Sequence, residues 1–83
     1  MIAQPYHLHI EITDFKRNMA RFYQLSIEPT LFGDVSLTRS WGRIGRRGQQ
    51  RVHLFNSEKE AVALLLTLLA QKRSRGYRPN VRA

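Results

Sequence analysis

The sequence predicts an α+β domain, an antiparallel β-sheet of about four strands packed by one C-terminal α-helix. Three observations predict it. Four segments alternate apolar with polar residues, which is the period of a half-buried strand. A Pro-Gly-Asp cluster sits between the second and third of them, where a hairpin turn is wanted. A single apolar run of helical period follows, opened by a serine. At 83 residues the chain is one domain, burying about 60–65% of its unfolded surface on folding.

The elements follow in order. Tyr6, Leu8, Ile10 and Ile12 alternate with His7, His9 and Glu11 and form a first strand. Residues 13–21 (TDFKRNMAR) are polar and basic without a clear period and read as a connecting loop or a single turn. Tyr23, Leu25 and Ile27 give a second strand that stops at Pro29, and residues 29–34 (PTLFGD) make the turn. Residues 35–41 form a third strand, antiparallel to the second. Gly42, Gly45 and Gly48 then punctuate a loop, and Gln49–Phe55 is a fourth strand with Val52 and Leu54 directed inward.

Ser57 with Glu60 three residues on is a capping box, and Glu58 and Glu60 suit the positive end of the helix dipole. In the helix that follows, Ala61, Val62, Leu64, Leu65, Leu66, Leu68 and Leu69 cover an arc of about 200°. A single sheet covers less than that. Either the N-terminal strand wraps over the helix or a second copy of the chain, or another protein, does. Gly76 and Pro79 end the helix.

Composition narrows the function. Fourteen Lys plus Arg stand against six Asp plus Glu, a formal net charge of +8 and a pI near 11.2. Such a field attracts polyanions. Eleven of the cations are Arg, whose planar fork suits phosphate and stacks on rings. There is no cysteine, so no disulfide and no thiolate zinc site is expected, which fits a reducing cytoplasm. Residues 1–10 lack the pattern of a signal peptide, and residues 61–70, the longest apolar stretch, are too short to span a bilayer. His7, His9 and His53 read as exposed strand histidines, with no carboxylates placed to complete a metal site. Asp14, Glu28 and Asp34 fall in or beside turns and pair with no Ser or His. A non-enzymatic binding module without cofactor or metal is expected.

Residues 39–51, RSWGRIGRRGQQR, hold five Arg, three Gly and the only Trp of the chain. Glycines let the backbone approach closely, arginines neutralise phosphate and an indole offers a face for stacking. The glycines are each three apart, which excludes the dinucleotide-binding and P-loop spacings. Candidate nucleic-acid-binding residues are Arg39, Trp41, Gly42, Arg43, Gly45, Arg46, Arg47 and Arg51. Trp41 also shares a face with Val35 and Leu37 and reads equally as a partly buried core residue with one exposed edge. The basic run Lys72, Arg73, Arg75, Arg78 and Arg82 either extends the phosphate footprint or complements the helix dipole.

These residues resemble the WGR domain family, named for the tripeptide that stands here as Trp41, Gly42 and Arg43. Family members start a strand with Arg, an aromatic and Tyr, as Arg21, Phe22 and Tyr23 do here. After a hairpin they carry a W-G-R-[IV]-G turn, here residues 41–45. A strand and an S-x-x-[DE]-A helix start follow, here residues 57–61. The resemblance covers about residues 21–77, leaving 1–20 as an N-terminal strand and loop and 78–83 as a basic tail. It implies a sheet packed by one helix and a role in binding nucleic acid, in the short, free-standing bacterial form. In poly(ADP-ribose) polymerases such a domain grips DNA near a break. The Trp matched by Trp41 packs against the terminal nucleotide there, and the Arg matched by Arg43 links the domain to its neighbours. No ADP-ribosyl transferase domain follows within these residues, so Arg43 is expected to serve phosphate instead.

The resulting expectation is a module for nucleic acid, DNA favoured over RNA, at ends, nicks or single strands. The helix is too apolar to read bases, so sequence preference is expected to be weak. The alternative is a protein-interaction module that uses the apolar helix face and the basic loop.

Overall fold

The computed structural model describes residues 6–79. Their alternation builds one antiparallel sheet of β1 (Tyr6–Asp14), β2 (Met19–Pro29), β3 (Val35–Arg43), β4 (Gln49–Phe55) and β5 (Arg78–Pro79), in the spatial order β4-β3-β2-β1-β5. One helix, α1 (Glu58–Ser74), packs on one face. Five strands stand where four were expected. The extra one is a two-residue edge that pairs Pro79 with Ile10 and Arg78 with Glu11, too short and too Pro-bound to show as a period.

The segment 13–21, expected as a connecting loop or a single turn, holds a single turn, and the strands extend into it from both sides. Residues Phe15–Arg17 make one 3₁₀ turn and Asn18 adopts a left-handed conformation (φ 53°), after which β2 begins at Met19. Nine register pairs then join β1 to β2, from Tyr6 opposite Ile27 to Asp14 opposite Met19. So β1 widens the sheet rather than wrapping over the helix.

The core lies between the sheet and α1. Leu25, Ile27 and Leu37 are fully buried there, joined by Ile10, Tyr23, Val35, Ala61, Leu65, Leu68 and Tyr77. The buried stripe of α1 is narrower than its composition suggests: Val62, Leu64 and Leu69 are only partly buried, and Leu66 is 57% exposed. The helix starts at the expected N-cap, with Ser57 Oγ accepting from Glu60 N at 3.3 Å. It ends in a Schellman motif: Gly76 at φ 107° donates to Arg73 O, and Tyr77 N donates to Lys72 O. That closure turns Tyr77 back into the core.

The inward face of β4 is the reverse of the one expected. His53 pairs with buried Leu37 and Phe55 with buried Val35, which sets the helix-side register, whereas Val52 and Leu54 project from the other face and are 51% and 66% exposed. Register to β3 decides the face of this edge strand, and apolarity does not. Apart from Phe22, stacked on His9, the rest of the face away from the helix is polar, with His7, His9, Gln24, Ser26, Ser36, Thr38, Ser40 and Gln50.

The β2–β3 hairpin closes through Thr30, whose N donates to Asp34 O at 2.9 Å and whose Oγ1 accepts from Phe32 N at 3.3 Å. Leu31 and Phe32 stand out from its tip, 97% and 90% exposed. No helix among the described residues is long and apolar enough to cross a membrane.

Candidate nucleic-acid interface

The opposite end of the same hairpin carries the charge. On the helix-side face Tyr23, Trp41 and Gln49 lie in one row across β2, β3 and β4. The row on one side of it sets Arg21 directly opposite Arg43, and the row on the other sets Arg39 opposite Arg51. Like charges opposed across strands are destabilising by about 0.2–1 kcal/mol per pair. Two such pairs flank a tryptophan.

The C-terminal end of α1 adds Lys72 and Arg75. With Met19, Arg21, Phe22, Trp41, Arg43 and Tyr77 they line a cleft of ≈360 Å³. Trp41 is half-buried against the core, and the Arg39 guanidinium lies 5.4 Å from its ring centroid. Lys72 Nζ sits 4.6 Å from the Tyr23 ring and 5.4 Å from the Tyr77 ring. Burial, and then the charges of Arg75, Arg39 and Arg21, hold the Lys72 pKa below its ordinary value. A site that disfavours its own ammonium is one that an incoming anion stabilises. Among the described residues, no carboxylate lies within ion-pair distance of Arg21, Arg39, Arg43, Lys72 or Arg75.

Arg43 is oriented from the β1–β2 turn. Its Nη1 donates to Asn18 O at 3.3 Å and its Nη2 to Asn18 Oδ1 at 3.4 Å. The left-handed backbone at Asn18 presents both oxygens to one guanidinium.

The glycines act through close approach. A Cβ on Gly42 would lie 2.7 Å from Gly48 Cα, and one on Gly48 would overlap the Trp41 carbonyl. Residues 44–48 therefore fold back against Gly42, with Ile44 N donating to Ala20 O at 2.8 Å and Arg46 N to Arg43 O at 3.0 Å. This places Arg46 and Arg47 beside Gly45 on the open face of the sheet.

Of the eight candidates, Arg39, Trp41, Arg43 and Arg51 share the helix-side face, Arg46 and Arg47 lie on the other, and Gly42 and Gly45 shape the turn between. Arg21, Lys72 and Arg75 join Trp41 through the fold. Lys72 and Arg75 carried a signal in the basic run at the helix end. Arg21 stood in the Arg-Phe-Tyr strand start, but only the register sets it opposite Arg43. Arg82, from the same basic run, lies outside the described residues.

His9 and His53 are not the exposed strand histidines expected. Gln24 Nε2 donates to His9 Nδ1 and His9 Nε2 donates to Glu11 Oε2, both at 2.8 Å. His53 is half-buried beside Arg39 and Arg51. Burial, and then those two charges, lower its pKa from the ordinary 6.5. The folded state then binds this proton less readily than the unfolded chain does. Its contribution is complete above pH 6.5 and is lost as pH falls through that value toward the lowered one. Denaturant midpoints measured from pH 7.5 down to about 5 should fall, and His53→Gln should flatten the fall; an equal slope in that variant would remove His53 as the cause.

The WGR domain family model matches residues 6–83. The chain belongs to the WGR domain family. The match begins at Tyr6 and so takes in β1, which the sequence motifs alone leave outside. An uncharacterised protein, y4dW, of Sinorhizobium fredii (strain NBRC 101917 / NGR234) is 62% identical over 79 residues, 95% of this chain and 39% of that protein. The WGR domain described here thus spans well under half the length of that relative. No solved structure gives a significant match. A WGR domain is a module of the binding type, which in poly(ADP-ribose) polymerases engages nucleic acid.

Proposed function

We propose that this WGR domain binds nucleic acid, DNA ahead of RNA, at ends, nicks or single-stranded segments, without catalysing a reaction. The observation that carries the reading is the half-buried Trp41 between two cross-strand arginine pairs, Arg21–Arg43 and Arg39–Arg51. Repulsion between them is relieved when phosphates lie between the guanidinium groups. The flanking Trp41 edge then meets the sugar or base of a terminal or unstacked nucleotide, where an intact duplex would offer only its backbone. Lys72 and Arg75 extend the same track. Arg46 and Arg47, around the end of the sheet, take phosphates farther along the strand. Nothing in this arrangement places a side chain for reading base edges in a groove, which supports weak sequence preference.

Fluorescence anisotropy with blunt, nicked and single-stranded DNA and with matched RNA tests the reading. Trp41→Ala is expected to weaken binding to ended or nicked DNA by about 1–3 kcal/mol. Equal binding by wild type and variant would remove the stacking role. Binding no tighter than that of any small polycation would instead favour a protein partner.

A further inference from the structure

The sheet has a second cavity, on the face away from the helix and from Trp41. It measures ≈390 Å³, within the roughly 300–1,000 Å³ range of small-molecule sites. Its floor is one straight row across four strands: His9 opposite Gln24, Gln24 opposite Ser40, and Ser40 opposite Gln50. Short Ser40 between two long amides leaves a slot, because Gln24 and Gln50 are rooted two strand spacings apart, about 10 Å. An amide carries both donor and acceptor groups, so the slot has amides at both sides that match the mixed donor and acceptor edge of a nucleobase.

The walls make the cavity polar from end to end. Phe22 and His9, stacked at 8° with centroids 6.0 Å apart, supply the ring surface. Glu11, bonded to His9, makes one end negative, and Arg46 and Arg47 make the other positive. The amide row and the two arginines occupy different parts of the cavity, so a ligand with a base at one end and a phosphate at the other matches both.

We propose that this cavity binds a nucleoside monophosphate unit, its base against Gln24, Ser40 and Gln50 and its phosphate on Arg46 and Arg47. It opens on the face away from Trp41, with Phe22 bordering both, and because Arg46 and Arg47 also serve the strand path proposed above, the proposal rests in part on that reading. The unit is either a free mononucleotide or an unpaired nucleotide of a strand.

The test is an NMR titration of the full chain with each of the four common nucleoside monophosphates and, separately, with inorganic phosphate. The side-chain amide signals of Gln24 and Gln50 should shift with at least one mononucleotide and not with inorganic phosphate. Gln50→Ala, at an exposed position, should weaken that mononucleotide about tenfold while binding to nicked DNA is retained. A duplex with one unpaired nucleotide, set against a fully paired duplex, distinguishes the two sources, since only a strand-borne ligand shifts the same amides with the former alone. Identical shifts from inorganic phosphate, or amide signals unmoved at millimolar mononucleotide, would overturn the proposal, and neither result bears on DNA binding at Trp41.

Discussion

Gly48→Ala is expected to unfold a large part of the population or displace the loop that follows Trp41. Gly48 has φ 74°, a region that L side chains enter at a cost of about 1–2 kcal/mol, and an added Cβ would overlap the Trp41 carbonyl oxygen and crowd the Phe22 ring. Backbone cannot rotate away as a side chain can, so the loss should exceed about 2 kcal/mol. A domain of this length has on the order of 4–12 kcal/mol in all. Gly45→Ala is the control, because φ there is 88° but nothing lies within 4 Å of the added Cβ. Denaturant unfolding of both variants separates the conformational cost from the overlap. A Gly48→Ala midpoint equal to that of Gly45→Ala would show that residues 44–48 do not pack against Trp41 as described.

The second large effect is on salt dependence. If about five phosphates are neutralised, log K falls with log[salt] at a slope of about −4 to −5. Between 50 and 200 mM salt that is roughly a 250- to 1,000-fold loss of affinity. Replacing Arg21, Arg43 and Arg75 together by Gln should bring the slope to about −1.3 to −2.3, and the loss over the same interval to roughly 6- to 25-fold. All three positions are exposed, and removal of Arg21 and Arg43 ends one like-charge pair worth about 0.2–1 kcal/mol. The variant should therefore fold normally while binding poorly. An unchanged slope measured by anisotropy would place the phosphates elsewhere on the molecule.

Residues that repeat with a period were legible, and residues that meet by topology were not. Alternation marked β1 to β4, and Ser57 with Glu60 marked the first turn of α1. Alternation does not set the facing of β4, because its two faces are nearly matched, Val52 and Leu54 against His53 and Phe55, so only the pairing of Leu37 with His53 decides. β5 was invisible because two residues have no period. At the candidate site, Trp41 and Arg43 stood out through their glycines. Arg21 lies twenty-two residues before Arg43 in sequence and directly opposite it across the sheet. Lys72 and Arg75 reach Trp41 only because α1 runs back over that end of the sheet. The division of the arginines between two faces is likewise a matter of register, since residues 44–48 turn from one face of the sheet to the other.

The hairpin tip shapes how the molecule behaves as a whole. Leu31 and Phe32 lie beyond Val35, six residues along β3 from Trp41, a distance of at least about 20 Å at the strand rise. Ionic atmosphere at physiological salt extinguishes a surface potential over about 8 Å. The tip is thus electrically silent toward whatever polyanion occupies the far end. Free energies of contact at the two ends add without cross-talk, and the domain behaves as an insulated rod with one charged pole and one greasy one.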